Sequence, residues 1–91
     1  MTKTSIKYTI RKTDCGLPPI TITLDALLVD SRVEFDLTIG ATLIESIDRA
    51  EITGALYNML PRKQKAVISK LTRFADAAPT RLHREHSRNA A

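Results

Sequence analysis

Residues 33–39 read Val-Glu-Phe-Asp-Leu-Thr-Ile and are followed by Gly40. Apolar and polar side chains alternate strictly over this stretch, which is the period of a β-strand with one buried side and one solvent-facing side. Its polar positions include Glu34 and Asp36, so the outer side of the strand is acidic. The pattern predicts a strand over 32–39 that ends at the glycine, a residue that favours turns.

The same alternation occurs twice before this strand. The segment 5–13 alternates isoleucine and tyrosine with lysine, threonine and arginine, and the segment 20–29 begins with isoleucine and leucine alternating with threonine. Pro18 and Pro19 lie between the two segments, and consecutive prolines interrupt a strand ladder. Three strands in succession predict a small antiparallel β-meander.

Residues 41–47 fit either a strand that returns after the turn or the first turns of a helix. We favour the helix, because the hairpin would place Asp36 directly opposite Glu45, and like charges in that position are destabilising. Asp48 matches a helix N-cap, and Glu51 stands where it completes a capping box.

Prolines set the boundaries of the two predicted helices. The first helix ends at Leu60, because the residue before a proline avoids the helical backbone conformation and Pro61 follows. The second helix spans 62–77, and Pro79 ends it for the same reason.

These elements predict one α+β domain over residues 1–79, with about three strands followed by two helices, and a basic C-terminal tail over 80–91. In the second helix Val67, Leu71 and Phe74 define the stripe that faces the core. The tail has almost no apolar residues, so we expect it to contribute to binding rather than to folding.

Charge is segregated along the chain, whose formal net charge is +4. Residues 61–91 carry eight Lys or Arg against two acidic residues, whereas residues 21–60 carry seven acidic residues against two basic ones. Such segregation attracts a polyanion or an acidic protein surface. The residues predicted to make this contact are Arg62, Lys63, Lys65, Lys70, Arg73, Arg81, Arg84 and Arg88.

The inventory of reactive side chains disfavours catalysis. His83 and His86 lie in the predicted tail, where nothing holds a general base close to a substrate. The single cysteine, Cys15, stands beside Asp14, and a neighbouring carboxylate disfavours the reactive thiolate. We therefore predict no enzyme activity, no cofactor, no metal and no small-molecule substrate. Without a secretory signal or an apolar run of membrane-spanning length, we expect a cytoplasmic protein with no membrane contact.

Residues 56–68 read Leu-Tyr-Asn-Met-Leu-Pro-Arg-Lys-Gln-Lys-Ala-Val-Ile. This segment resembles the helix, Leu-Pro and basic helix at the entry to the promoter-binding region of bacterial sigma factors. The resemblance ends there, because that family continues into a second helix-turn-helix and this chain continues into Ala-Ala-Pro. No residue role is carried over from it, and no family is assigned.

Two functions fit these observations. The leading one is a small non-enzymatic intracellular regulatory protein that contacts nucleic acid or a nucleoprotein complex through helix 62–77 and the tail. The alternative is a protein–protein adaptor or inhibitor, such as a small phage-type protein that blocks a host protein. It would dock through strand edges and the acidic strand face of Glu34 and Asp36. A homodimer suits both, because three strands expose two edges.

Overall fold

A computed structural model describes residues 2–10, 19–60 and 64–90, and for 88–90 it describes the backbone alone. The elements in chain order are β1 (Thr2–Ile10), β2 (Ile20–Val29), β3 (Arg32–Ile39), β4 (Thr42–Ile47), α1 (Arg49–Met59) and α2 (Lys65–Ala90). The strands form one antiparallel sheet in the order β1-β2-β3-β4. Strands followed by helices make the predicted α+β class, with one strand more than the three expected.

The β2–β3 hairpin turns at Asp30 and Ser31. Both residues have positive φ angles, 48° and 67°, as a two-residue type I′ turn requires. This turn backbone matches the twist of the strands that it joins. β2 and β3 therefore have their predicted bounds, 20–29 and 32–39.

β1 lies earlier in the chain than the predicted strand 5–13. It begins at Thr2 and pairs with β2 without a register shift, from Thr2 opposite Leu28 to Ile10 opposite Ile20. The remainder of the predicted strand, 11–13, lies outside the described residues.

The helix expected over 41–47 is instead a strand, so that prediction was wrong. β4 returns beside β3 after a turn in which Gly40 has a φ of 60°, a backbone conformation that glycine adopts without strain. A bulge then sets two residues of β4 against Asp36, and the Ser46 N–H donates to Asp36 Oδ1 at 2.9 Å. The expected repulsion between Asp36 and Glu45 does not prevent this pairing, because the Asp36 carboxylate accepts the backbone N–H of Ser46.

α1 begins where the sequence places it. Asp48 is the N-cap residue, and its carbonyl accepts the Glu51 N–H at 3.0 Å, but its side chain makes no capping hydrogen bond. Ile52 and Leu56 point into the core and are fully buried, as their spacing predicts.

α2 is longer than the predicted helix 62–77. It continues through Pro79, so residues 80–90, predicted as a tail, are the second half of one helix. The prediction that Pro79 ends the helix was wrong. Leu82 supplies the physical reason, because its side chain is fully buried against the sheet and this burial offsets the backbone hydrogen bond that an interior proline cannot make.

Both helices pack on the same face of the sheet, with α2 across β1 and β2 and α1 against β3. The buried core residues are Ile10, Ile22, Leu24, Ala26, Phe35, Leu37, Ile39, Ile47, Ile52, Leu56, Leu60, Ile68, Leu71, Ala75, Ala78 and Leu82. Phe74 and Val67, predicted as core, are only partly buried, because the buried stripe of α2 is centred nearer Leu71 and Ala75. No helix in the described part of the chain is long and apolar enough to cross a membrane.

Candidate polyanion-binding surface

Four basic side chains lie along one flank of α2. Lys70, Arg73, Arg81 and Arg84 are all exposed. Spacings of three and four residues keep side chains on one side of a helix, and the exposed Ala77 fills the position between Arg73 and Arg81. The row extends about 21 Å along the helix axis at 1.5 Å per residue. These four residues are called the basic stripe below.

The stripe exists because α2 is continuous. The sequence predicts Arg81 and Arg84 in a basic C-terminal tail, apart from Lys70 and Arg73 in the preceding helix. Since the helix passes through Pro79, all four side chains lie on one flank. The continuous helix thus joins two groups of cations, one predicted in a helix and one predicted in a tail.

The stripe cations make no ion pair with any carboxylate in the described part of the chain. The only acidic residues of α2 are Asp76 and Glu85. Asp76 stands three residues after Arg73, but its carboxylate accepts a hydrogen bond from Arg49 Nε of α1 at 2.7 Å, which holds the pKa of this carboxyl below its ordinary value. Glu85 stands four residues after Arg81, so each half of the stripe has one acidic neighbour in sequence. Among the described residues, no carboxylate lies within 4.0 Å of a stripe cation.

One cation of the stripe, Lys70, lies beside β1. Lys70 Nζ lies 5.7 Å from the centre of the Tyr8 ring, a cation–π distance, near the end of β1. Further along α2, His83 lines a cavity together with Thr2 at the start of β1. α2 therefore runs antiparallel to β1.

The other predicted contact residues are placed differently. Lys65 is exposed at the start of α2, but about 140° around the helix from Lys70, and so is not part of the stripe. Arg62 and Lys63 lie outside the described residues. Arg88 belongs to the last turn of α2, and its side chain lies outside the described part.

The two acidic residues of the alternative interpretation lie on the outer face of the sheet, away from the helices. Arg32 Nη2 approaches Glu34 Oε1 at 3.6 Å, and Asp36 accepts the Ser46 N–H. Each carboxylate thus has a partner within its own chain.

The acidic face has a third member, Asp25, which was not predicted from the sequence. Asp25 on β2 stands directly opposite Asp36 in the sheet. Ser5 Oγ donates to Asp25 Oδ1 at 2.5 Å, and Lys3 Nζ lies 3.9 Å from the same oxygen. The signal was available, because strand alternation sets Asp25 on the side opposite Leu24. Basic β1 therefore partly compensates the acidic face.

A cavity of about 350 Å³ opens at the end of the sheet that holds the β2–β3 turn. Its lining residues are Thr2, Leu28, Asp30, Ser31, His83 and His86. Within the described residues, no three potential metal ligands converge, here or elsewhere.

Comparisons with protein-family models, with curated proteins and with solved structures give no match to this chain. Its function is therefore inferred from its own surfaces.

Proposed function

We propose that this chain is a small non-enzymatic binding protein that holds nucleic acid against the basic stripe of α2. The observation that carries the proposal is the row of four exposed cations along one helix flank, with no carboxylate within 4.0 Å of them among the described residues. Unneutralised cations at loose spacing suit phosphate oxygens, which repeat along a nucleic acid backbone.

The chemistry of the flank favours phosphate contacts over the recognition of bases. Direct base recognition uses Asn, Gln or Arg side chains on an element that enters a groove. The stripe supplies arginines, but the described side chains of this flank include no Asn or Gln, and two of its positions are the alanines Ala66 and Ala77. We expect binding that depends little on nucleotide sequence.

The alternative function, docking of a protein partner on the acidic strand face of Glu34 and Asp36, receives less support from the structure. A basic partner that docked on Glu34 and Asp36 would compete with the contacts that these carboxylates make to Arg32 and to the Ser46 N–H.

The test is a titration of labelled duplex and single-stranded oligonucleotides, followed by fluorescence anisotropy at several salt concentrations. If each stripe cation contacts one phosphate, log K should fall with log salt at a slope of about −3.6 for duplex and about −2.8 for single strands. Absence of binding at low salt contradicts the proposal.

A matched pair of double variants separates the stripe from net charge. Lys70→Gln with Arg81→Gln removes two stripe cations, whereas Lys65→Gln with Arg32→Gln removes two exposed cations elsewhere. The stripe variant should flatten the duplex slope by about 1.8. The control variant should change it much less, and equal changes in both would show that net charge alone drives binding.

A further inference from the structure

The two edges of the sheet differ in how well they accept another strand. β4 is six residues long and bulged, and Ser46 in the bulge has a φ of 53°. β1 is nine residues long and pairs with β2 without a register shift. Short and bulged edges resist strand addition, whereas long regular edges permit it. β1 is therefore the receptive edge.

The hydrogen bonds of the sheet show which β1 backbone groups point outward. Gly40 N–H donates to the Thr21 carbonyl at 2.9 Å, so the backbone groups of Thr21 face β3. Direction alternates along an antiparallel strand, and the even-numbered residues of β2 therefore face β1, where Ile22 stands opposite Tyr8. The β1 residues whose backbone N–H and C=O face away from β2 are Lys3, Ser5, Lys7 and Thr9. No other described strand pairs with them.

Cations flank this edge on both faces of the sheet. On the outer face, Lys3 and Lys7 are exposed side chains of β1 itself. On the helix face, Lys70 lies over Tyr8. Side chains on either face of an added strand would therefore meet positive charge.

The same charges oppose pairing with a second copy of this chain. Two β1 strands joined edge to edge would bring Lys3 and Lys7 of both copies together, and the two basic stripes would lie on the same side of the joined sheet. Like charges in neighbouring strands are destabilising, and lysine on an edge strand is a common defence against self-association.

We propose that the β1 edge binds an extended segment of another protein, rich in Asp and Glu, as a fifth strand of the sheet. Backbone hydrogen bonds to the four outward-facing residues provide the pairing, and the flanking cations select acidic side chains. This interaction goes beyond nucleic acid binding, because it requires the β1 backbone, which phosphate contacts to the stripe do not use.

The test uses a fluorescein-labelled peptide of alternating glutamate and valine, of the length of β1, titrated into the full chain. Ser5→Pro removes one outward N–H in the middle of the edge and leaves the pairing with β2 intact, since proline is tolerated where the N–H faces solvent. Ser5→Ala is the matched control, because it loses the hydroxyl contact to Asp25 and keeps the N–H.

We expect the wild type and Ser5→Ala to bind the peptide within twofold of each other, and Ser5→Pro to bind at least tenfold more weakly. Amide exchange at Lys3, Ser5, Lys7 and Thr9 should slow on binding, while exchange at the even-numbered residues of β1 stays unchanged. Equal binding by Ser5→Pro, or absence of binding by the wild type, overturns the proposal.

A second measurement needs no variant and stands if Ser5→Pro does not fold. A peptide of the same charge with a fully N-methylated backbone cannot pair as a strand, so it should bind the wild type at least tenfold more weakly. Equal binding of the two peptides would show attraction by charge alone and contradicts strand addition. A wild-type dimer that Ser5→Pro dissolves would make a second copy the occupant and also overturns the proposal.

Failure of this inference is distinguishable from failure of nucleic acid binding. Ser5→Pro should bind oligonucleotides as the wild type does, because it leaves the stripe cations in place. Peptide binding without oligonucleotide binding would support strand addition at β1 and contradict the proposed function. Oligonucleotide binding without peptide binding would support the proposed function and contradict strand addition.

Discussion

The two halves of α2, before and after Pro79, form one helix on very different sequences. The first half buries Ile68, Leu71 and Ala75 with a regular apolar spacing, whereas the second half buries one large side chain, Leu82. Starting a helix is unfavourable, but each further residue adds a hydrogen bond at little cost. Once the first half is packed on the sheet, a single buried leucine is therefore enough to carry the helix onward.

Deletion of residues 80–91 should have the largest effect on stability, because it removes the second half of α2. It removes Leu82, and loss of a buried leucine costs about 2–5 kcal/mol of unfolding free energy. For a domain of this size we expect a melting temperature lower by about 10 °C or more. Thermal unfolding followed by circular dichroism measures the change.

The control for the deletion is the full-length chain with Arg81→Gln and Arg84→Gln, which keeps the buried leucine and loses two cations of the same segment. Its melting temperature should stay near that of the wild type. If the deletion also leaves the melting temperature unchanged, the segment is a tail after all and Leu82 does not anchor it.

Leu82→Ala and Leu71→Ala compare the two anchors directly. Each leaves a cavity in the core, and we expect losses of about 2–5 kcal/mol in unfolding free energy, measured by urea denaturation. Leu82→Ala should fall at the lower end, because the end of a helix relaxes more easily around a cavity than its middle. A loss below about 0.5 kcal/mol, the range of surface substitutions, would contradict the burial of Leu82.

Pro79→Ala tests the residue at which the two halves of α2 meet. Alanine restores the backbone donor and removes the clash of the proline ring, while the unfolded chain gains freedom that offsets part of the benefit. We expect a net stabilisation of about 1–2 kcal/mol, measured by urea denaturation. Thr80→Ala, one residue on at an exposed helical position, should change stability by only a few tenths of a kcal/mol. A destabilised Pro79→Ala would mean that the proline shapes the helix rather than interrupting it.

The contrast between the two halves of α2 also explains how much of the fold could be predicted from the sequence. β2 and β3 were predictable because alternation and turn residues agree over both strands. β4 was not, because the hydrogen bond from Ser46 N–H to Asp36 depends on a bulge that no local pattern announces. The second half of α2 was not predictable for a different reason, since Leu82 is one apolar residue in a polar segment and only the sheet beneath gives it a partner.

The residues of the candidate surface were predictable from the sequence, but their alignment along one flank of α2 was not. The sequence supplied Lys70, Arg73, Arg81 and Arg84, and the segregation of charge along the chain predicted a polyanion or an acidic protein surface as the partner. Their alignment requires the helix to continue past Pro79, a tertiary effect. The β1 edge was missed for a similar reason, because which backbone groups face outward depends on the pairing of the whole sheet.

The smallest predicted effect concerns the contact between α1 and the first half of α2. Arg49 Nε donates to Asp76 Oδ1 at 2.7 Å, and this hydrogen bond lowers the pKa of Asp76 below its ordinary value. A pKa lowered by folding stabilises the fold above the ordinary carboxyl pKa, and that contribution is lost as the pH falls towards the folded value. The Asp76 side chain is well exposed and that of Arg49 is partly exposed, so the effect is small. Asp76→Asn should lower the melting temperature slightly near neutral pH and not at all in acid. A deficit of Asp76→Asn that persists in acid would assign the contact to packing rather than to charge.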